Sequence, residues 1–150
     1  MNDLVDVSPF PNSKAERTFT GGILEAERIA LRYQRRGKDG PLIAKVRFGP
    51  HAEGAPRRAH GGAVLTVLDE AMGAACWVRG WPVLTARISA AFRRAVPLSV
   101  NLHVETDIVR EHRRLVFVTS RLVDSRGGFY AEAEASFARL SPEQLKAAGL

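Results

Sequence analysis

The sequence is short of cysteine, of long apolar runs and of aromatic residues, and each shortage closes off a class of protein. Its single cysteine, Cys76, has no partner for an intrachain disulfide, which suits a reducing compartment. Cys76 stands among Ala75, Trp77 and Val78 with no adjacent base, a poor setting for a nucleophile. No apolar run approaches a membrane span, and the first twenty residues lack the apolar core of a secretory signal. A cytoplasmic protein with no membrane partner is therefore expected. Aromatic residues make up only 7% of the chain and do not interleave with basic ones, so there is no stacking platform for nucleic acid. His51, His103 and His112 show no HxH or HExxH spacing. Neither a metal nor any other cofactor is expected.

What is present suits a single domain. The 150 residues are enough to bury a real core, and 45% hydrophobic with 25% charged residues is ordinary for a soluble globular protein. The formal charge of +6 favours an anionic partner. The basic residues are scattered in pairs, Arg35-Arg36, Arg57-Arg58, Arg93-Arg94 and Arg113-Arg114, and not gathered in one run. Each pair reads equally as a solvated turn or strand end.

The most informative stretch is His60 to Gly80, HGGAVLTVLDEAMGAACWVRG. After a histidine and two glycines it is apolar almost all round, the pattern of a helix buried inside its protein. At 100° per residue, Thr66, Asp69, Glu70 and Gly73 share one polar arc about 100° wide. Burying a carboxylate is costly, so Asp69 and Glu70 must be paired, neutralised or kept for chemistry. Gly80 and Pro82 mark the end of the helix.

The flanks read as strands. Residues 1–18 carry Pro, Ser, Asn and charge without a period and are expected to form an extension, draped over the body by Leu4, Val5 and Phe10. From Gly22 to Gln34, Ile23, Leu24, Ile29, Leu31 and Tyr33 suggest an extended segment, with RRGKDGP as a turn and Leu42 to Phe48 as the returning strand. GPHAEGAPRRA is a loop that feeds the helix. After Pro82 the apolar residues recur with period two through Leu84 to Phe92, Val100 to Ile108, Leu115 to Val123 and Phe129 to Phe137. Leu115 to Val123, apolar on both faces, reads as a central strand. Ala131, Ala133 and Ala135 would let a helix lie close to the sheet. The tally is two strands, a long helix and a four-strand meander: an α+β layer on an antiparallel sheet. One sheet covers one side of a helix, so a second copy of the chain is the expected cover for the other.

A strand pair, a Gly/Pro loop, HGG opening a buried helix with Asp69 nine residues after His60, and four later strands resemble the hotdog-fold acyl-CoA thioesterases. The similarity spans about Gly22 to Leu140 and is nearest to the phenylacetate-degradation, PaaI-like branch. It implies a long central helix wrapped by a mostly antiparallel sheet of about five or six strands, with residues 19–150 as a single hotdog domain. It implies a homodimer, often a dimer of dimers, that hydrolyses acyl-CoA at a site shared between subunits. By the same resemblance the Gly61 amide polarises the thioester carbonyl, and Asp69 of the other subunit serves as general base or nucleophile. Some branches place Glu at the acid position, but Glu70 is one residue off that register, about 100° round the helix. Three departures stand out: Gly54, beside Glu53, where the family often has Asn or Gln; Thr85 as a loosely aligned Ser/Thr position; and Arg94 in place of a common proline.

Elementary chemistry runs parallel to the resemblance. The first amides of a helix have no intrahelical acceptor and sit at its positive end, so they stabilise an oxyanion. Gly61 and Gly62 let a substrate approach that backbone closely. Eight residues of rise, about 12 Å, separate Gly61 from Asp69, too far for one helix to supply both to one carbonyl. His60 reads either as a cap for the helix or as a direct participant. Arg93, Arg94, Arg113 and Arg114 are candidates for the phosphates of coenzyme A. Trp77, Trp81 and Phe92 are candidates for an acyl wall, and ordinary packing accounts for each equally well. A hotdog hydratase or dehydratase is the alternative enzyme, although GPHAEGAP matches its HFPG-like loop poorly. A non-catalytic acyl-CoA-binding protein is the third reading.

Overall fold

The computed structural model describes residues 3–10, 19–20 and 27–150. Ile23, Leu24 and most of the expected extension lie outside the described residues. The period-two segments form a seven-stranded antiparallel sheet in the order β1-β2-β3-β5-β6-β7-β4. Its strands are β1 (Leu4–Val7), β2 (Ile29–Arg36), β3 (Leu42–Phe48), β4 (Val83–Phe92), β5 (Leu102–His112), β6 (Leu115–Val123) and β7 (Phe129–Arg139). Helix α1 (Gly61–Trp77) lies on one face, against β3 to β7. Phe48, Leu68, Met72, Leu122 and Phe137 are fully buried between the two layers. Ala131, Ala133 and Ala135 are buried too, and their small side chains keep β7 low beneath α1. No helix among the described residues is long and apolar enough to cross a membrane.

Two sequence expectations need correction. Leu4–Val7, assigned to an aperiodic extension, pairs antiparallel with β2 as an edge strand, which makes seven strands where five or six were expected. The four later strands are not one meander, because β4 lies at the far edge against β7 with β6 and β7 between it and β5. Residues 93–101 make the crossing. They are tied down by Ala59 N–H to Val96 O at 2.8 Å and Ser99 N–H to Phe48 O at 2.7 Å, with Val96 buried. The C-terminal stretch, to which no element was assigned from sequence, holds α2 (Pro142–Ala147), opened by a capping box in which Ser141 and Gln144 bond each other's backbone amides.

A bulge between Thr85 and Arg87 decides what β4 shows the helix. In an uninterrupted strand Thr85 and Ile88 would face opposite ways. The extra residue, Ala86, resets the phase. Thr85 therefore bonds a side chain of α1 while Ile88 and Ala90 also pack on the core.

Candidate active site

The start of α1 is built by its cap. His60 has extended backbone at φ −62°, ψ 136°, and its Nδ1 accepts the Gly62 N–H at 2.9 Å. The imidazole proton is thereby placed on Nε2. His60 N–H bonds Ala52 O at 2.7 Å, and its carbonyl takes the Val64 N–H at 3.1 Å. Between these the Gly61 N–H meets no acceptor among the described residues, and Gly61 is exposed. A Cβ on Gly62 would lie 3.0 Å from His60 Nδ1, so a side chain there would crowd the capping ring. A Cβ on Gly61 would meet only the Phe92 ring, at 3.9 Å. Nothing in the packing of the described residues requires a bare backbone at residue 61.

Two turns on, the adjacent acids part company. Asp69 Oδ1 accepts the Thr85 hydroxyl at 2.8 Å, and Oδ2 has no bond to another described residue. Glu70 turns the other way. Thr20 Oγ1 lies 2.7 and 2.8 Å from its two carboxyl oxygens, and the Tyr33 hydroxyl donates to Oε1 at 3.3 Å. Burial pushes the Glu70 pKa above the ordinary carboxyl range, with the Asp69 charge adding to it, while the bonds from Thr20 and Tyr33 pull it back. Burial and the Glu70 charge likewise push the Tyr33 phenol up. Among the described residues Asp69 thus has one side-chain partner, Thr85, and Glu70 has two, Thr20 and Tyr33. Neither Thr20 nor Tyr33 was expected at the site from sequence.

Both acids line a groove of about 420 Å³. Its floor is a stripe of α1, Thr66, Asp69, Glu70, Gly73 and Trp77, and its sides are Phe10 and Phe19 on one hand and Val83, Leu84, Thr85 and Phe137 on the other. Trp77 is half-buried at one end, with the Phe10 ring edge-on at 5.9 Å. Cys76 stays outside this chemistry, because burial pushes its thiol up to about 11.

The other sequence candidates scatter. Gly54 is pressed against the site's cap, since a Cβ there would sit 2.8 Å from His60 Cα. It holds the loop close and offers no side chain to a ligand. Arg93 pairs with Glu132, and Arg94 stacks 5.0 Å over the Tyr130 ring. Both follow Phe92, at the Gly61 end of the sheet. Arg113, in the β5–β6 turn at φ 57°, and Arg114, bonded to Arg139 O at 2.7 Å, lie at the opposite end. The seven residue steps of β7 from Ala131 to Ala138 span about 23 Å, so the four arginines do not form one phosphate site within a chain. Trp81 is taken up by Arg139, at 4.3 Å, and Arg79, and it does not line the groove.

Comparison with known proteins adds three findings. A family model described as Thioesterase superfamily matches residues 58–131. The chain is 34% identical over 98 residues, 64% of its length and 40% of the relative's, to acyl-coenzyme A thioesterase THEM4 of Bos taurus. It is 31% identical over 104 residues, 68% of its length and 44% of the relative's, to THEM4 of Mus musculus. The chain thus spans less than half the length of these curated relatives. Among solved structures, a Streptococcus pneumoniae hypothetical thioesterase with coenzyme A superposes at TM-score 0.67 with 18% identity, over 77% of this chain and 90% of that one. The E. coli PaaI protein superposes at 0.66 with 14% identity, over 79% and 83%. The chain has the hotdog fold, and its residues 58–131 match the thioesterase superfamily.

Proposed function

We propose that this protein is an acyl-CoA thioesterase that hydrolyses an acyl-CoA to the free acid and coenzyme A. The observation that carries the reading is a pair of groups on α1, one at its start and one at its middle. One is an exposed Gly61 amide with no acceptor among the described residues, and the other is Asp69, held by Thr85 on the floor of a groove. The similarity to THEM4 and to a hotdog thioesterase structure with coenzyme A supports it.

The chemistry follows from these groups. Asp69 takes a proton from water as the water oxygen adds to the thioester carbonyl carbon. The resulting oxyanion is received by the Gly61 N–H, where a preorganised donor is worth about 10²–10³ in rate. Collapse breaks the C–S bond, and the departing thiolate takes up the proton held by Asp69. Direct attack by the carboxylate, followed by hydrolysis of the anhydride, uses the same two groups. Because Gly61 and Asp69 are about 12 Å apart along one helix, we assign them to opposite subunits of a homodimer, itself able to pair again. The outer edge of β4, with Leu84 and Phe92 each more than half exposed, is the surface for that contact. Arg93 and Arg94, at the Gly61 end, are the better placed arginines for the nucleotide phosphates.

The test is thiol release from a panel of short, medium, long and aromatic acyl-CoAs, phenylacetyl-CoA among them. Turnover by wild type and a loss of at least about 100-fold in Asp69→Asn is the expected result. An active Asp69→Asn would overturn the assignment of the base, and an inert wild type the activity itself.

A further inference from the structure

Gly73 sits in the middle of α1, where glycine is poorly suited to a helix. It is buried, yet among the described residues a Cβ built on it would meet within 4 Å only the edge of the Phe137 ring, at 3.5 Å. The space above Gly73 is the groove itself. It lies three and four residues beyond Glu70 and Asp69, hence on the same face of the helix one turn further on. The walls on either side turn apolar there, with Phe10, Val83, Leu84 and Phe137.

From this arrangement we infer that Gly73 is a specificity-determining residue. It keeps open a channel for a linear acyl chain that leaves Asp69 and runs along α1 to Trp77. The inference rests on the thioesterase reading and adds the substrate class to it. Asp69 and Trp77 are eight residues apart, about 12 Å of rise. An extended chain advances about 3.3–3.6 Å per three bonds, so the channel takes about ten carbons before it meets Trp77 with Phe10 against it. Gly73 stands about 6 Å from Asp69, beneath about the fifth carbon. A side chain there would block everything longer than butyryl and leave shorter chains untouched. Glu70 lines the groove too, with its carboxylate bonded by Thr20 and Tyr33.

The test compares wild type, Gly73→Ala and Gly73→Val on acetyl- through palmitoyl-CoA, with phenylacetyl-CoA alongside. Wild-type kcat/KM is expected to rise to a maximum at octanoyl to decanoyl and then fall. Gly73→Val should lose at least about tenfold on those substrates, the scale of one filled methylene site, with acetyl and butyryl held within about threefold. Gly73→Ala should melt no lower than wild type and shift the maximum to shorter chains. That separates a blocked channel from a damaged fold. An unchanged length profile in Gly73→Val, an equal loss at every length, or a wild type that prefers phenylacetyl-CoA would each overturn the inference. Should wild type release no thiol from any of them, the thioesterase reading falls alone and calorimetry decides the channel. Tighter binding of decanoyl- than of butyryl-CoA, lost in Gly73→Val, upholds it, and equal binding of the two overturns it.

Discussion

His60 gives one ring nitrogen to the Gly62 amide, and that bond holds the glycine turn in place for its neighbour. His60→Ala should therefore cost about 1 kcal/mol of unfolding free energy in urea, and His60→Asn, a good cap, should recover most of it. If Asn restores stability and activity together, the residue is a cap alone. If it restores stability only, the imidazole has a chemical part. Glu70 makes a second test. Its folded pKa is raised, so the folded chain holds the proton to higher pH than the unfolded one. The stability that proton confers is complete in acid and is lost as pH climbs from the usual glutamate range through the folded value. Glu70→Gln has no proton to lose. It should match wild type near about pH 4 and resist urea better near about pH 8. A wild type that gains stability over that interval relative to the variant would contradict the direction of the shift. The HGG and Asp69 were legible because their spacing is local to one helix. What holds each acid was not, since Thr20 and Tyr33 reach Glu70 across 50 and 37 residues of sequence.

At the scale of elements, periodicity reports which face a residue shows and is silent about which strand lies alongside. That is why α1 was placed to within a few residues while β4 was put beside β5 instead of β7. Leu115–Val123 escaped the error because a strand apolar on both faces has to be central, and β6 does pair on both sides. The bulge at Ala86 was illegible for a related reason. Alternation through Leu84, Ala86, Ile88, Ala90 and Phe92 looks unbroken in the sequence, and only pairing with Phe137 and Ser136 shows the extra residue. Helix α2 did carry a signal, Ser141 and Gln144 at capping-box spacing. Six residues with no apolar stripe gave nothing to confirm it. Gly73 is the reverse case, a residue that looked like part of a polar arc and is explained by the open space above it.

In the whole molecule, the apolar side chains of the β4 edge and the unoccupied Gly61 amide are both features that one chain alone leaves unfinished. The shared site proposed above completes both, and it can be tested without disturbing the interface. Gly61 is the first residue of α1, where proline is tolerated and removes the N–H, and the extended backbone of His60 suits a following proline. Gly61→Pro and Asp69→Asn should each be folded and inactive. Refolded together in equal amounts, they should regain about a quarter of wild-type activity, since half the dimers are mixed and each mixed dimer carries one intact site. No recovery would place both groups in the same subunit. The 12 Å that separate the two groups along one helix thus have a genetic consequence. Two alleles, each null by itself, would complement in one cell, and the unit that mutation inactivates would be the pairing of two chains.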